Sequence, residues 1–265
     1  MNIFLYCIIF IMGILFGSFY TLAVYRIPRK EDITHTHSYC PNCNAKLGFF
    51  ELIPVLSYIF LGGKCKHCGK KIRIRYLLLE LLSGATFVLL AMGLKLDIYN
   101  LNIPNVVFLG FSFLYITFIF LIAGIDKEYR KIEKSVIYFG TIIVSTYMIY
   151  LYIVEHANIH RYVIYLFAMV ILLYFDNTAF RKHSENSYTI GILLLIAIMA
   201  IFTGEIATIY TIAITLIASG IYIILRKIKL SRSSVKRPDN IRQELRLGFI
   251  LCCSNIITLL SLVNM

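Results

Sequence analysis

Four cysteines stand in two pairs, Cys40-Pro-Asn-Cys43 and Cys65-Lys-His-Cys68, with 21 residues between the pairs. A two-residue spacer lets a tight turn aim both thiolates of a pair the same way. Two such pairs supply the four sulfurs that a structural Zn2+ takes in tetrahedral geometry. A site closed by four sulfurs has no position for a reacting water, so a metal there organises the chain and leaves the chemistry to other groups. Disulfide bonding is the competing use of these residues, and the compartment decides between the two. His67, inside the second pair, competes only weakly as a ligand, while His35 and His37, before the first, read as solvated loop residues. Cys7, Cys252 and Cys253 lie in or near apolar runs and read as small buried hydrophobes.

Proton chemistry calls for carboxylates, and an ionisable group at a membrane boundary is unfavourable enough to mark function. Asp126 follows Leu121-Ile-Ala-Gly-Ile125, and Asp176 follows Ile171-Leu-Leu-Tyr-Phe175, so each closes an apolar run. Two aspartates brought together can share one proton, one acting as base toward a water and the other as acid. The plainer alternative is that each is a solvated span terminus. Asp97, Asp239 and Glu80 compete with Asp176 for the place of second carboxylate.

The elements that hold these residues follow from the apolar runs. The 265-residue chain is 59% hydrophobic and 15% charged, a composition that belongs in lipid. Runs of about 20 apolar residues, enough to cross roughly 30 Å of hydrocarbon, recur along it. Eight spans are expected: 3–25, 77–94, 105–125, 135–154, 162–175, 188–203, 206–225 and 247–263. The fold class is therefore an all-α polytopic transmembrane bundle with one large polar loop, 26–76, carrying the four cysteines. The first run has no basic segment before it and no small-residue cleavage site after it, and is expected to remain as a helix.

Lys and Arg orient the bundle, because short cytoplasmic loops carry the excess. Loops 26–76, 126–134, 176–187 and 226–246 hold ten, four, two and eight of them, 24 of 26 in alternate loops; only Lys95 and Arg161 lie opposite. This assigns the cysteine loop and both aspartates to the cytoplasmic side, where thiols stay reduced and zinc prevails over disulfides. The net charge of +12 then serves topology and anionic lipid headgroups, not nucleic acid.

The segments Gly17-Ser-Phe19, Tyr25-Arg-Ile-Pro28, Ser38-Tyr-Cys-Pro-Asn-Cys43, Leu52-Ile-Pro-Val-Leu-Ser-Tyr58, Gly63-Lys-Cys-Lys-His-Cys68 and Arg75-Tyr76 to Glu80 follow one another in order. Together they resemble the amino-terminal region of type IV prepilin peptidases. The resemblance implies a bifunctional enzyme of the bacterial inner membrane. Such an enzyme is an intramembrane aspartic peptidase that removes the basic leader of type IV prepilins or pseudopilins, then methylates the new amino terminus with S-adenosylmethionine. It implies a methyltransferase-associated region over 1–95 with the zinc loop, and a peptidase region over 96–265. It also implies that Asp126, followed by Lys-Glu-Tyr-Arg-Lys131, is the first catalytic aspartate. The second belongs to a GxGD motif in that family; aligned there, Asp176 has Leu173 and Phe175 at the glycine positions.

Overall fold

The computed structural model describes residues 2–96, 102–154, 160–178, 184–232 and 245–263. Eight long helices occupy the eight expected positions: α1 (Asn2–Arg26), α3 (Arg75–Gly93), α4 (Ile103–Tyr129), α5 (Lys134–Val154), α6 (His160–Thr178), α7 (Ser184–Thr203), α8 (Glu205–Arg232) and α9 (Leu247–Val263). A ninth, α2 (Leu56–Phe60), is a single turn within the cysteine loop, and no strand forms among the described residues. Five of the eight (α1, α3, α4, α5 and α8) are long and apolar enough to cross a membrane. The apolar parts of the other three, Tyr162–Tyr174, Ser187–Thr203 and Leu247–Val263, are shorter.

Local chemistry sets the helix ends. Pro28 lacks an N–H and restrains Ile27, so α1 stops at Arg26, tightens into a 3-10 turn over Ile27–Arg29, and ends on Lys30 in the left-handed region at φ 58°. Arg130, at φ 50°, terminates α4 in the same way, its N–H donating to the Asp126 carbonyl at 2.9 Å. Gly204 at φ 87° makes the turn between α7 and α8. Glu205 then opens α8, where the helix dipole favours a negative charge.

The chain divides into two compact units, one reaching Phe113 and the other running from Leu114 to Leu262. In the first unit α1 crosses α3 at backbone contact. A Cβ on Gly13 would lie 2.6 Å from the Gly84 Cα, and one on Gly17 would lie 2.6 Å from the Glu80 Cα. Glycines four apart on one helix, facing Ser83 and Gly84 on the other, let the backbones approach where lipid supplies no hydrophobic drive. Gly17→Val should force the helices apart and destabilise the unit by about 1–3 kcal/mol. Thermal unfolding in detergent checks this; an unchanged midpoint would mean that the close crossing does not hold the pair.

In the second unit α4 is the central helix, with Tyr115, Ile116, Phe118, Ile119, Ile122 and Ile125 fully buried. Tyr115 stacks on Phe202 with centroids 4.1 Å apart. A buried polar thread ties α4, α8 and α9 together. Tyr115 Oη donates to Asn255 Oδ1 at 2.7 Å, Asn255 Nδ2 donates to Thr211 Oγ1 at 3.3 Å, and the Thr211 and Thr258 hydroxyls bond at 2.8 Å. Each polar side chain finds its partner on another helix, as a low-dielectric interior requires.

Candidate functional site

The cysteine loop is built from two copies of one turn, 25 residues apart. In the first, Cys40 N–H donates to Ala45 O, Asn44 N–H to Cys40 O, and Leu47 N–H to Ser38 O. In the second, Cys65 N–H donates to Lys70 O, Gly69 N–H to Cys65 O, and Ile72 N–H to Gly63 O. Asn44 (φ 56°) and Gly69 (φ 69°) hold the left-handed position after each pair, which only Gly and Asn take readily. The four Sγ atoms converge within 4.8 Å of one another. A Zn–S bond of about 2.3 Å places tetrahedral sulfurs about 3.8 Å apart, so the donor set and its spacing fit this ion. None of the four cysteines is in a disulfide.

Cys40 and Cys65 are buried, whereas Cys43 and Cys68 face outward. The metal-free thiols differ in acidity. The Lys70 N–H and the Asn42 side chain, whose Nδ2 donates to the Cys68 sulfur at 3.6 Å, bring Cys68 down to about 6. The Ala45 N–H also favours the Cys43 thiolate, but desolvation and the neighbouring thiols outweigh it and push Cys43 up to about 11.

Two buried charges brace this loop. Arg26, at 3% exposure, donates to the carbonyls of Asp32 and Thr36 at 2.9 Å and of His37 at 3.0 Å, with its guanidinium over the Tyr39 ring. Glu80, also buried, accepts the Val55 N–H at 2.8 Å and interacts with Ser18. Both residues lie in the ordered segments of the amino-terminal region, but nothing in those segments announces that Arg26 and Glu80 turn inward to hold the loop backbone. His67 stands apart from the cluster, with Nε2 3.7 Å from Glu51 Oε1. His35 pairs with Asp32. Of the remaining cysteines Cys252 is buried as expected, Cys253 is half-buried, and Cys7 lies on an exposed face of α1, contrary to its reading as a buried hydrophobe.

Asp126 lies one turn before the end of α4 and has no exposed surface. The reading of a solvated terminus therefore does not describe it. Its Oδ2 accepts the Phe249 N–H at 2.8 Å, one of the free amides in the first turn of α9. Gly248 leaves room for this approach, since a Cβ there would meet Asp126 Oδ2 at 3.1 Å. The Tyr188 hydroxyl accepts the Gly248 N–H at 3.3 Å and interacts with the carboxylate, and Arg246 and Arg130 supply positive charge nearby. The other oxygen, Oδ1, is buried without a hydrogen-bond partner among the described residues. Asp176 lies in the last turn of α6. Its side chain is outside the described residues, as are Asp97 and Asp239 altogether.

Residues 11–94 match the family described as Bacterial Peptidase A24 N-terminal domain. The chain is similar in part to proteins named prepilin leader peptidase/N-methyltransferase. A Bacillus subtilis protein named prepilin leader peptidase/N-methyltransferase is 36% identical over 132 residues, 50% of each chain. Proteins of the same name from Vibrio cholerae and Klebsiella pneumoniae are 39% identical over 87 residues and 31% identical over 126. These alignments take in 29% and 45% of this chain, and 34% and 51% of theirs. The alignments thus span about half or less of these curated relatives. No solved structure matches the chain. The matched stretch contains all four cysteines, Glu80 and the α1/α3 crossing.

Proposed function

We propose that this protein is a membrane aspartic endopeptidase that removes the basic leader of type IV prepilins or pseudopilins and then N-methylates the new amino terminus. The observation that carries the reading is the buried Asp126 carboxylate, fixed through one oxygen by the start of α9 and without a hydrogen-bond partner at the other among the described residues. A carboxylate oriented in that way can exchange a proton with a water while its geometry holds. Asp176 is the proposed partner. The ionised member of the pair takes a proton from the attacking water, hydroxide adds to the scissile carbonyl, and the protonated member gives its proton to the departing amine. Water is thereby added across the peptide bond and the pair returns to sharing one proton.

The distribution of Lys and Arg supports a cytoplasmic face for both aspartates and the cysteine loop, in the bacterial inner membrane. A prepilin lying in that bilayer with its basic leader in the cytoplasm would present its scissile bond at the same level. In this reading Cys40, Cys43, Cys65 and Cys68 hold a structural Zn2+ that stabilises the loop of the methyltransferase-associated region, 1–95, while 96–265 carries the peptidase. S-adenosylmethionine would supply the methyl group when bound. The groove of about 430 Å³ beside Ile3, Phe10 and Val88 is lined by apolar atoms and does not fit a charged sulfonium nucleoside, so the donor is assigned to no residue.

Co-expressing a prepilin with the protein and with its Asp176→Asn variant tests the reading, because leader loss and methyl addition change mass separately. Wild type should yield a shortened, methylated pilin, and the variant a full-length prepilin. Normal processing by the variant would remove Asp176 from the pair and point to another acid. An unprocessed prepilin with the wild type would overturn the function.

A further inference from the structure

The 21 residues between the knuckles carry the most apolar exposed surface of the loop. Phe50 is 81% exposed, Ile59 61% and Phe60 82%, with Phe49, Leu52 and Leu56 also exposed around the 3-10 turn at Phe49–Glu51 and α2. An aqueous loop anchored by a metal does not need such a surface, and exposed clusters of this kind mark a partner.

Two further observations say which partner. The first is depth. Val55, between Pro54 and α2, holds φ 63° and ψ −54°, an unfavourable conformation for a β-branched residue. Its N–H is held by Glu80, the sixth residue of α3, which lies about 8 Å along that helix from its start. The segment is therefore tethered to the first turns of a membrane-crossing helix and cannot stand off into solvent. Both ends of the wider loop are tethered too, at Arg26 on α1 and Arg75 on α3. The second observation is charge. Between Ser38 and Arg75 there are seven Lys and Arg against one acid, Glu51. Lys46, Lys64, Lys66, Lys71 and Arg73 are exposed. Aromatic and aliphatic tips with a basic rim at the level where a span begins match the headgroup layer of an anionic leaflet.

We infer that residues 49–60 form a wedge that inserts into the anionic leaflet of the membrane crossed by α1 and α3, held at that depth by the Glu80–Val55 hydrogen bond. The wedge does not depend on the peptidase reading. It requires only that α1 and α3 span the bilayer.

The chain contains no tryptophan, so a single Phe→Trp change gives an emission that reports on one position. Phe50→Trp and Phe60→Trp exchange one exposed aromatic for another and leave the knuckles intact. Each variant is reconstituted in vesicles of phosphatidylcholine and phosphatidylglycerol, with and without bromine-labelled acyl chains. Both emissions should be blue-shifted, quenched by the brominated lipid and shielded from iodide. Quenching should weaken in vesicles of phosphatidylcholine alone. Emission open to iodide and untouched by bromine would overturn the inference in favour of an aqueous loop. Shielding from both quenchers would overturn it in favour of a protein surface covering the wedge. Equal bromine quenching in neutral and anionic vesicles would remove the basic rim from the mechanism.

Discussion

Asp126→Asn should leave a prepilin with its leader attached, lowering the cleavage rate by roughly 10²- to 10⁴-fold, while the protein stays folded in the membrane. The exchange is close to isosteric. The amide oxygen can still accept the Phe249 N–H, and Gly248 still leaves room beside it, so the junction of α4 with α9 keeps its geometry. What is lost is the ability to take up and release a proton. A carboxylate that merely capped α9 would be replaced with little consequence, because an amide oxygen also accepts from a helix amide. The cleavage rate therefore separates a catalytic role from a structural one. Rates are followed by the mobility or mass of the prepilin, and the amount of variant protein recovered from membranes shows that the fold survives. Cleavage at the wild-type rate would remove Asp126 from the chemistry.

The second large effect is expected at the knuckles. Cys40→Ser or Cys65→Ser should take bound zinc from one ion per chain to none and release the loop from residue 38 to 72. Elemental analysis reads the metal, and trypsin reads the loop through the exposed Lys64, Lys66 and Lys71. The magnitude is large because a structural zinc in a small domain supplies on the order of 10 kcal/mol of apparent folding free energy. The two buried cysteines are the ones whose loss should be felt most, since a serine there leaves a polar group in a place built for a thiolate. The α1/α3 crossing rests on Gly13 and Gly17 and should persist. A loop that resists chelators and opens with a reductant would mean disulfides in place of metal.

These expectations rest unevenly on sequence and structure. The helix positions were legible because apolar runs mark them, and in α1, α3, α4, α5 and α8 the run is also long enough to reach across hydrocarbon. The convergence of the four cysteines was legible because the spacing is local: two residues between thiols define a turn whatever surrounds it. The Gly13 and Gly17 spacing carried a signal for the α1/α3 crossing, since small residues four apart mark a close helix contact in lipid. The partners of Asp126 were not legible. Phe249 is 123 positions away, and nothing local to Gly248 announces that an aspartate will press against it. The Glu80 to Val55 bond spans 25 residues and depends on a backbone conformation that propensity argues against. Arg26 shows the same difficulty from the other side. Charge counting assigned it to the membrane face, whereas packing turned it inward to hold three carbonyls of the loop.

The proposed processing of prepilins is put to the test with purified protein in lipid, a synthetic or purified prepilin, and S-adenosylmethionine. The mass of the product is measured at successive times. The leader should be lost at a single bond, and the shortened chain should then gain a methyl group. A prepilin whose mass never changes, or one that gains a methyl group with its leader still in place, would contradict the proposal.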